Sequence, residues 1–196
     1  MLILASQSPR RQALLKAMDL DFQVVVKSVD ETFPKNISAE KVAEYLAEKK
    51  ADVFDFAELP KDATLITCDT TVIIDQEILG KAETPDEAIA MLKKLSGREH
   101  AVVTGVCIKT AEKKILFSET THVYFKSLTD EQIHYYVESY KPFDKAGAYG
   151  IQEWIGLVGI DRIEGCYYNV MGLPAAKIMA NLKNYSYLCK AKCTQP

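Results

Sequence analysis

Neither sign of charge dominates this sequence: 24 Lys and Arg face 27 Asp and Glu over 196 residues, for a formal charge of −3. So small a surplus exerts no general pull on duplex nucleic acid or anionic lipid. A nucleic acid polymer is therefore not an expected partner, and any phosphate must be caught by a local cluster. Long apolar runs are missing as well, none nearing the ~20 residues of a membrane helix. The start, Met1-Leu2-Ile3-Leu4-Ala5-Ser6, has no basic leader, so neither membrane insertion nor export is expected and a cytoplasmic location is. Cysteines number five, an odd count at irregular spacing, which argues against a disulfide framework and fits a reducing compartment. Cys68, Cys107 and Cys166 read as small core residues. Cys189 and Cys193 lie four apart with no second pair or histidine nearby, a poor zinc pattern. The three histidines stand beside no Ser or Cys in a nucleophile setting, so a Ser–His or Cys–His triad has no support.

What is present is the balance of an ordinary globular protein, 48% hydrophobic and 26% charged. Residues 2–5 read as a strand that leads into a capped turn, with Ser8 as N-cap and Pro9 at the first helical position of a helix carrying Leu14, Leu15 and Met18. Residues 22–26 form a second strand, and Val42, Ala43, Leu46, Ala47 and Val53 mark a helix over 38–54. Residues 63–68 and 71–74 are strand-like, and Asp75-Gln76-Glu77 is a hairpin turn into Ile78-Leu79. Thr84-Pro85-Asp86-Glu87 and Thr129-Asp130-Glu131-Gln132 are capping boxes opening helices. Between them, residues 100–110 and 114–126 read as long antiparallel strands, and Leu173-Pro174 opens a last helix. Helices and strands interleave throughout, so the fold class is α/β, with a mixed, partly antiparallel sheet flanked by helices.

Three segments carry chemistry. In Ser6-x-Ser8-Pro9-Arg10-Arg11, two hydroxyls and two guanidiniums crowd a helix N-terminus, a place whose free N–H groups and partial positive charge suit an anion. Arginine there opposes the helix dipole, so stability alone does not select it. In Leu65-Ile66-Thr67-Cys68-Asp69-Thr70-Thr71-Val72, one carboxylate stands in an apolar, β-branched run. Such an Asp is expected at a strand end facing a cleft, where it can orient water or hold a divalent cation, and Glu31 supplies a second carboxylate. In Asp144-Lys145-Ala146-Gly147-Ala148-Tyr149-Gly150-Ile151-Gln152, glycines let backbone approach a ligand, and the Gln152 amide can both donate to and accept from a base edge. Lys50 at a helix end and Lys81 after Gly80 are further cations. The single Trp154 and the ten tyrosines read as packing residues.

With these residues the chain resembles the Maf proteins, nucleoside triphosphate pyrophosphatases. The resemblance is carried in order by Leu4-Ala5-Ser6-x-Ser8-Pro9-Arg10-Arg11, Asp69-Thr70, Leu79-Gly80-Lys81, Met91-Leu92-x-x-Leu95-Ser96-Gly97, the string from Asp144 to Gln152, and Asn169-Val170-Met171-Gly172-Leu173-Pro174. It implies a fold like that of inosine triphosphate pyrophosphatase with a central cleft, and one domain over 1–184, in two lobes, before a tail over 185–196. It further implies hydrolysis of a nucleoside triphosphate to the monophosphate and pyrophosphate with Mg²⁺ or Mn²⁺, a homodimer, and a role in cleaning the nucleotide pool. Asp69 falls on the family's general base, with Glu31 and Asp69 as metal ligands; base and metal ligand are not separable for Asp69 at this level. Ser6, Arg11, Glu31, Lys50 and Lys81 fall on substrate and phosphate contacts, and Ser8 is grouped with them as a phosphate-binding residue. Arg10, Thr70 and Gln152 resemble the specificity positions of the branch acting on dTTP and UTP, as against the 7-methyl-GTP branch or a CTP enzyme. Thr67-Cys68 replaces the usual Gly-Ala before the Asp, and Ala82 the usual Pro after Lys81. The competing reading is a nucleotide-binding regulator of septum formation without turnover.

Overall fold

Two long strands organise the molecule. β3 (Thr64–Ile74) and β5 (Glu99–Lys109) pair antiparallel from Leu65 with Lys109 to Ile73 with Ala101. β6 (Lys114–Phe125) continues the antiparallel pairing, and β7 (Ile160–Glu164) pairs antiparallel with β6. On the other side, β1 (Leu2–Leu4) runs parallel to β3, and β2 (Gln23–Val24) runs parallel to β1. The order is β2-β1-β3-β5-β6-β7, with β4 (Glu77–Leu79) folded back on β3. This computed structural model describes residues 1–182; the tail over 185–196, with Cys189 and Cys193, lies outside the described residues.

The period of two along β3 and β5 sends alternate side chains to opposite faces. Leu65 and Cys107 pack with Ala47 and Ala51 of α2 (Ala39–Asp52). Ile66, Cys68, Val106 and Ile108 face the other way, onto Leu14 and Leu15 of α1 (Pro9–Ala17) and Ile178 of α7 (Ala175–Asn181). Further along that second face, Val72 and Val102 share a core with Leu92 and Leu95 of α3 (Pro85–Leu95) and Ile133 and Tyr136 of α4 (Asp130–Tyr140). Each fully buried aliphatic side chain contributes ~1.5–3 kcal/mol, which is what commits these residues to their faces. Gly105 has no room for a side chain: a Cβ there would lie 2.2 Å from Ala43 O. Thr67 Oγ1 adds a hydrogen bond to Ala47 O at 2.5 Å, so α2 is pressed onto the sheet at its middle.

The helix starts follow the sequence. Ser8 Oγ accepts from Arg11 N, Thr84 Oγ1 accepts from Glu87 N, and Thr129 with Gln132 completes a reciprocal box. Asp75 and Gln76 both take positive φ, at 51° and 65°, the mirror-image turn that matches strand twist in a hairpin. Two expectations need correction. The strand pieces at 63–68 and 71–74 are one strand, and Asp69 sits in its middle opposite Gly105 rather than at a strand end. Pairing with β5 on one edge carries the chain through Asp69 despite that residue's poor strand propensity. Cys166 is half-buried rather than core, because it lies at the sheet margin, after α5 (Trp154–Gly159) and β7 and just before the short helix α6 (Tyr167–Val170).

One irregularity positions everything that follows. β1 and β4 share the β3 edge that faces away from β5. β1 pairs with Thr64, Leu65 and Ile66; β4 pairs with Val72, Ile73 and Ile74. Residues 67–71 between them have no strand on that edge, and the sheet is notched there.

Candidate active site

Asp69 occupies the centre of the notch and is 9% exposed. Its side chain points to the α2 face, where Lys50, in the last turn of the helix, donates from Nζ to Asp69 Oδ1 at 2.6 Å. The same ammonium lies 2.8 Å from Glu31 Oε1. Lys50 is thus held between two carboxylates. Asp69 Oδ2 has no hydrogen bond among the described residues, so one oxygen of the buried carboxylate is uncommitted. Burial raises the pKa of Glu31, but the hydrogen bond and charge of Lys50, with the charges of Lys81 and Arg11, outweigh it and leave Glu31 below the usual range.

Thr70 turns to the opposite face, as the strand period requires. There Arg11 fans its guanidinium over four acceptors. Nε donates to Gly172 O at 2.8 Å, Nη1 to Cys68 O at 2.9 Å and Ser6 Oγ at 3.2 Å, and Nη2 to Thr70 Oγ1 at 3.0 Å. The Cys68 carbonyl belongs to the unpaired stretch of β3, so Arg11 supplies the donor that a neighbouring strand would have given. Thr70 Oγ1 also meets Thr104 Oγ1 at 2.9 Å, and Thr104 donates to Asn169 O. Arginine in the first helical turn is thus offset by these acceptors, though it opposes the dipole.

Arg10 points across the mouth of the notch and donates from Nη1 to Asp144 Oδ2 at 2.6 Å. Asp144 Oδ1 accepts from Lys145 Nζ at 2.6 Å. Desolvation raises the Asp144 carboxyl, but the hydrogen bonds and charges of Lys145 and Arg10 prevail and hold it at about 2. The glycine-bearing loop reaches the site for a separate reason. Gly147 N donates to Gly80 O at 3.0 Å and Lys81 bridges Ala146, so the loop and the Gly80-Lys81 turn meet at the cleft. Gly147 takes φ +68°, a left-handed conformation glycine adopts without strain.

Two adjoining cavities result, of about 330 Å³ and 610 Å³. Arg10, Arg11, Glu31, Lys50, Lys81 and Ser8 line both. The first reaches inward to Asp69, Thr70, Tyr149 and Gln152; the second holds Ser6 at the α1 start. Every site residue singled out from the sequence therefore borders one or other of these adjoining cavities, and Asp69 lines the first together with both arginines. Their hydrogen-bonding capacity is not equally open. Arg11 is engaged on protein acceptors, Ser8 Oγ accepts from the helix, and Arg10 is paired with Asp144. Lys81 is exposed and has no ion pair among the described residues.

Among the described residues, no three or more His, Cys, Asp or Glu side chains converge as a metal cage. The chemistry of Glu31 and Asp69 nevertheless fits a hard divalent cation. Their oxygens come within 2.8 and 2.6 Å of one ammonium, and Mg²⁺ is commonly held by one or two carboxylates, with water and phosphate oxygens completing its shell.

Sequence reasoning missed several residues. Glu153, Tyr136, Thr104 and Asn169 support the walls through contacts between segments distant in the chain. The only local signal was an acid, Glu153, directly after Gln152 in an otherwise apolar stretch.

Comparison with known proteins agrees with this site. The Maf-like protein family matches residues 1–185. The chain is 50% identical over 95% of its length, and 95% of the relative's, to a dTTP/UTP pyrophosphatase of Flavobacterium psychrophilum. It is 49% identical to a dTTP/UTP pyrophosphatase of Porphyromonas gingivalis strain W83, over 94% of both chains. Among solved structures, the Staphylococcus aureus Ham1 protein resembles it loosely, with TM-score 0.46 at 17% identity over 63% of this chain and 71% of that one. Family match and near-complete coverage coincide with a notched sheet whose walls carry the family's motifs, and the chain belongs to the Maf-like protein family.

Proposed function

We propose that this protein is a nucleoside triphosphate pyrophosphatase that hydrolyses dTTP and UTP to the monophosphate and pyrophosphate. The observation that carries the reading is the notch in β3: a single buried carboxylate with one uncommitted oxygen faces a hollow bordered by Arg10, Arg11, Lys50 and Lys81. Ligand binding alone has no need of a carboxylate among those cations. The names of the curated relatives support the choice of nucleotide.

The residues divide the work by position. Lys81, at the mouth, meets the triphosphate, while Arg10, held on Asp144, stands with Thr70 and Gln152 as a specificity position. Lys50 fixes the Asp69 carboxylate by Oδ1, leaving Oδ2 to accept a proton from the attacking water. Water adds at the α-phosphorus, the α–β anhydride bond breaks, and the cationic wall offsets the charge that builds on the departing pyrophosphate. Glu31 and Asp69 would hold Mg²⁺ or Mn²⁺, which would supply positive charge against that of the triphosphate. Thr70 and Gln152, deeper in the first cavity, face the base. A polar site left with unpaired groups rejects the wrong base strongly. The unpaired Cys68, Cys107 and Cys166 support a reducing location such as the cytoplasm. The homodimer rests on the family likeness, and sedimentation of the purified protein reads it.

Asp69→Asn tests the assignment. Loss of a general base costs ~10²–10⁴-fold in rate, so dTTP turnover should fall by that factor with the melting temperature close to the parent's. Retention of more than about a tenth of the parent rate refutes the role of Asp69. Pyrophosphate release measured on dTTP, UTP, CTP, GTP and 7-methyl-GTP, with and without chelator, should be highest for the first two and abolished by chelation. Preference for a purine refutes the choice of base but leaves the reaction standing.

A further inference from the structure

Arg10 and Gln152 lie far apart in the chain, yet one line of contacts behind the cleft holds both. Arg10 binds Asp144 at 2.6 Å, and Asp144 binds Lys145 at 2.6 Å. Lys145 Nζ lies 3.0 Å from Glu153 Oε1, and Glu153 Oε2 accepts from the Tyr136 hydroxyl. That hydroxyl in turn accepts from Gly150 N at 3.0 Å. Gly150 is crowded: a Cβ there would meet Glu153 Cδ at 2.8 Å and Gln152 Nε2 at 3.0 Å. The Gln152 amide therefore rests against backbone that Tyr136 pins.

The centre of this line is Lys145, only 8% exposed. A buried ammonium is costly unless its charge is met on more than one side. Two carboxylates meet it, Asp144 towards the cleft and Glu153 away from it. Glu153 does not line the cleft, so its charge acts on ligands only through other side chains.

We propose that Glu153 is a positioning residue for base selection, setting Arg10 through Lys145 and Asp144, and Gln152 through Tyr136 and Gly150. The inference rests on the dTTP/UTP reading, in which Arg10 and Gln152 are specificity positions. Without the Glu153 charge, Lys145 has Asp144 alone and draws it inward, so Arg10 loses its anchor. At the same time the Tyr136 hydroxyl loses its ionised acceptor, and Gly150 with Gln152 loosens. Among the described residues, the Lys50, Asp69 and Glu31 group has no hydrogen bond or ion pair with this line, so its geometry should be kept.

The test is Glu153→Gln, which keeps volume and hydrogen-bonding capacity and removes the charge. Steady-state kcat and KM are measured for dTTP, UTP, dCTP and dGTP, with binding of the α,β-methylene analogues of dTTP and dGTP. The preference for dTTP over dGTP should fall about tenfold, the worth of one good hydrogen bond. The change should lie in KM and in analogue binding, with kcat for dTTP kept within about twofold, as removal of binding rather than of chemistry requires. Tyr136→Phe keeps the ion pairs and removes only the hydroxyl's bonds to Glu153 and Gly150, so it should move the preference in the same direction by less. An unchanged preference in both variants, or an equal fall in kcat for every nucleotide, overturns the proposal. If Glu153→Gln does not fold, Tyr136→Phe decides alone, and an unchanged preference there overturns it. If the parent releases no pyrophosphate, the activity reading fails separately, and the ratio of analogue affinities still decides: a shifted ratio supports the positioning role and an unshifted one overturns it.

Discussion

A side chain's chemistry can be readable when its partner is not. Asp69 and the Arg10-Arg11 pair stand out in the sequence because each violates a local preference, an acid in an apolar strand and cations at a helix start. Their partners do not stand out. Lys50 is legible as a cation at a helix end but its pairing with Asp69 is not, and Glu153 gains its meaning only from Tyr136 and Lys145 across the fold. His100 is a further case, one of three histidines without local distinction. Burial places it in edge contact with Phe125 and Tyr149, with Nε2 2.8 Å from Tyr149 Oη and Nδ1 without a hydrogen-bond partner among the described residues. That burial lowers its pKa from 6.5 to about 4. Above pH 6.5 the ring is neutral folded or unfolded and carries no penalty. Below it the unfolded chain takes up the proton first, so stability falls until about pH 4, by about 3 kcal/mol in full. His100→Phe should flatten that decline. Urea unfolding of both proteins at pH 7 and pH 4.5 measures it, and parallel losses would contradict the assignment.

At the scale of elements, helices were the more legible because caps and 3.6-residue spacing are local signals. α2 was expected over 38–54 and forms over Ala39–Asp52. What its sequence does not disclose is how closely it approaches the sheet, which Gly105 on β5 sets. The site depends on that approach, since Lys50 reaches Asp69 from the last turn of the same helix. Gly105→Ala places a methyl group against the Ala43 carbonyl, and α2 must move. Overpacking of this kind costs ~1–3 kcal/mol. Urea denaturation should register that loss, and dTTP turnover of the folded fraction should fall too, because Lys50 is carried off Asp69. Turnover at the parent level in a destabilised Gly105→Ala protein would separate helix placement from catalysis.

At the scale of the whole molecule, the mixed sheet was legible from interleaved helix and strand patterns, whereas the notch was not. The notch arises because β1 stops at its pairing with Ile66 and β4 begins at its pairing with Val72, and only the assembled sheet compares those lengths. A cleft formed this way opens on both packed faces of one sheet, so a ligand lodged in it ties the α1 and α2 sides together. Binding to the folded state alone adds ~2.7 kcal/mol at a hundred times Kd. For a chain of this size that corresponds to a rise of about 5–10 °C in Tm. Scanning calorimetry with the α,β-methylene analogue of dTTP should show it. An unmoved transition at high analogue concentration would mean that the folded protein does not bind the nucleotide.

The unpaired rim of β3 carries a second consequence. A stretch of strand with a bare hydrogen-bonding edge is a template for a foreign strand, and proteins that leave one exposed tend to self-associate. Here Arg11 covers the Cys68 carbonyl with a cation that no β-strand would welcome as a neighbour. The rim that admits a solute thereby offers a foreign strand one acceptor fewer, because the guanidinium already occupies it.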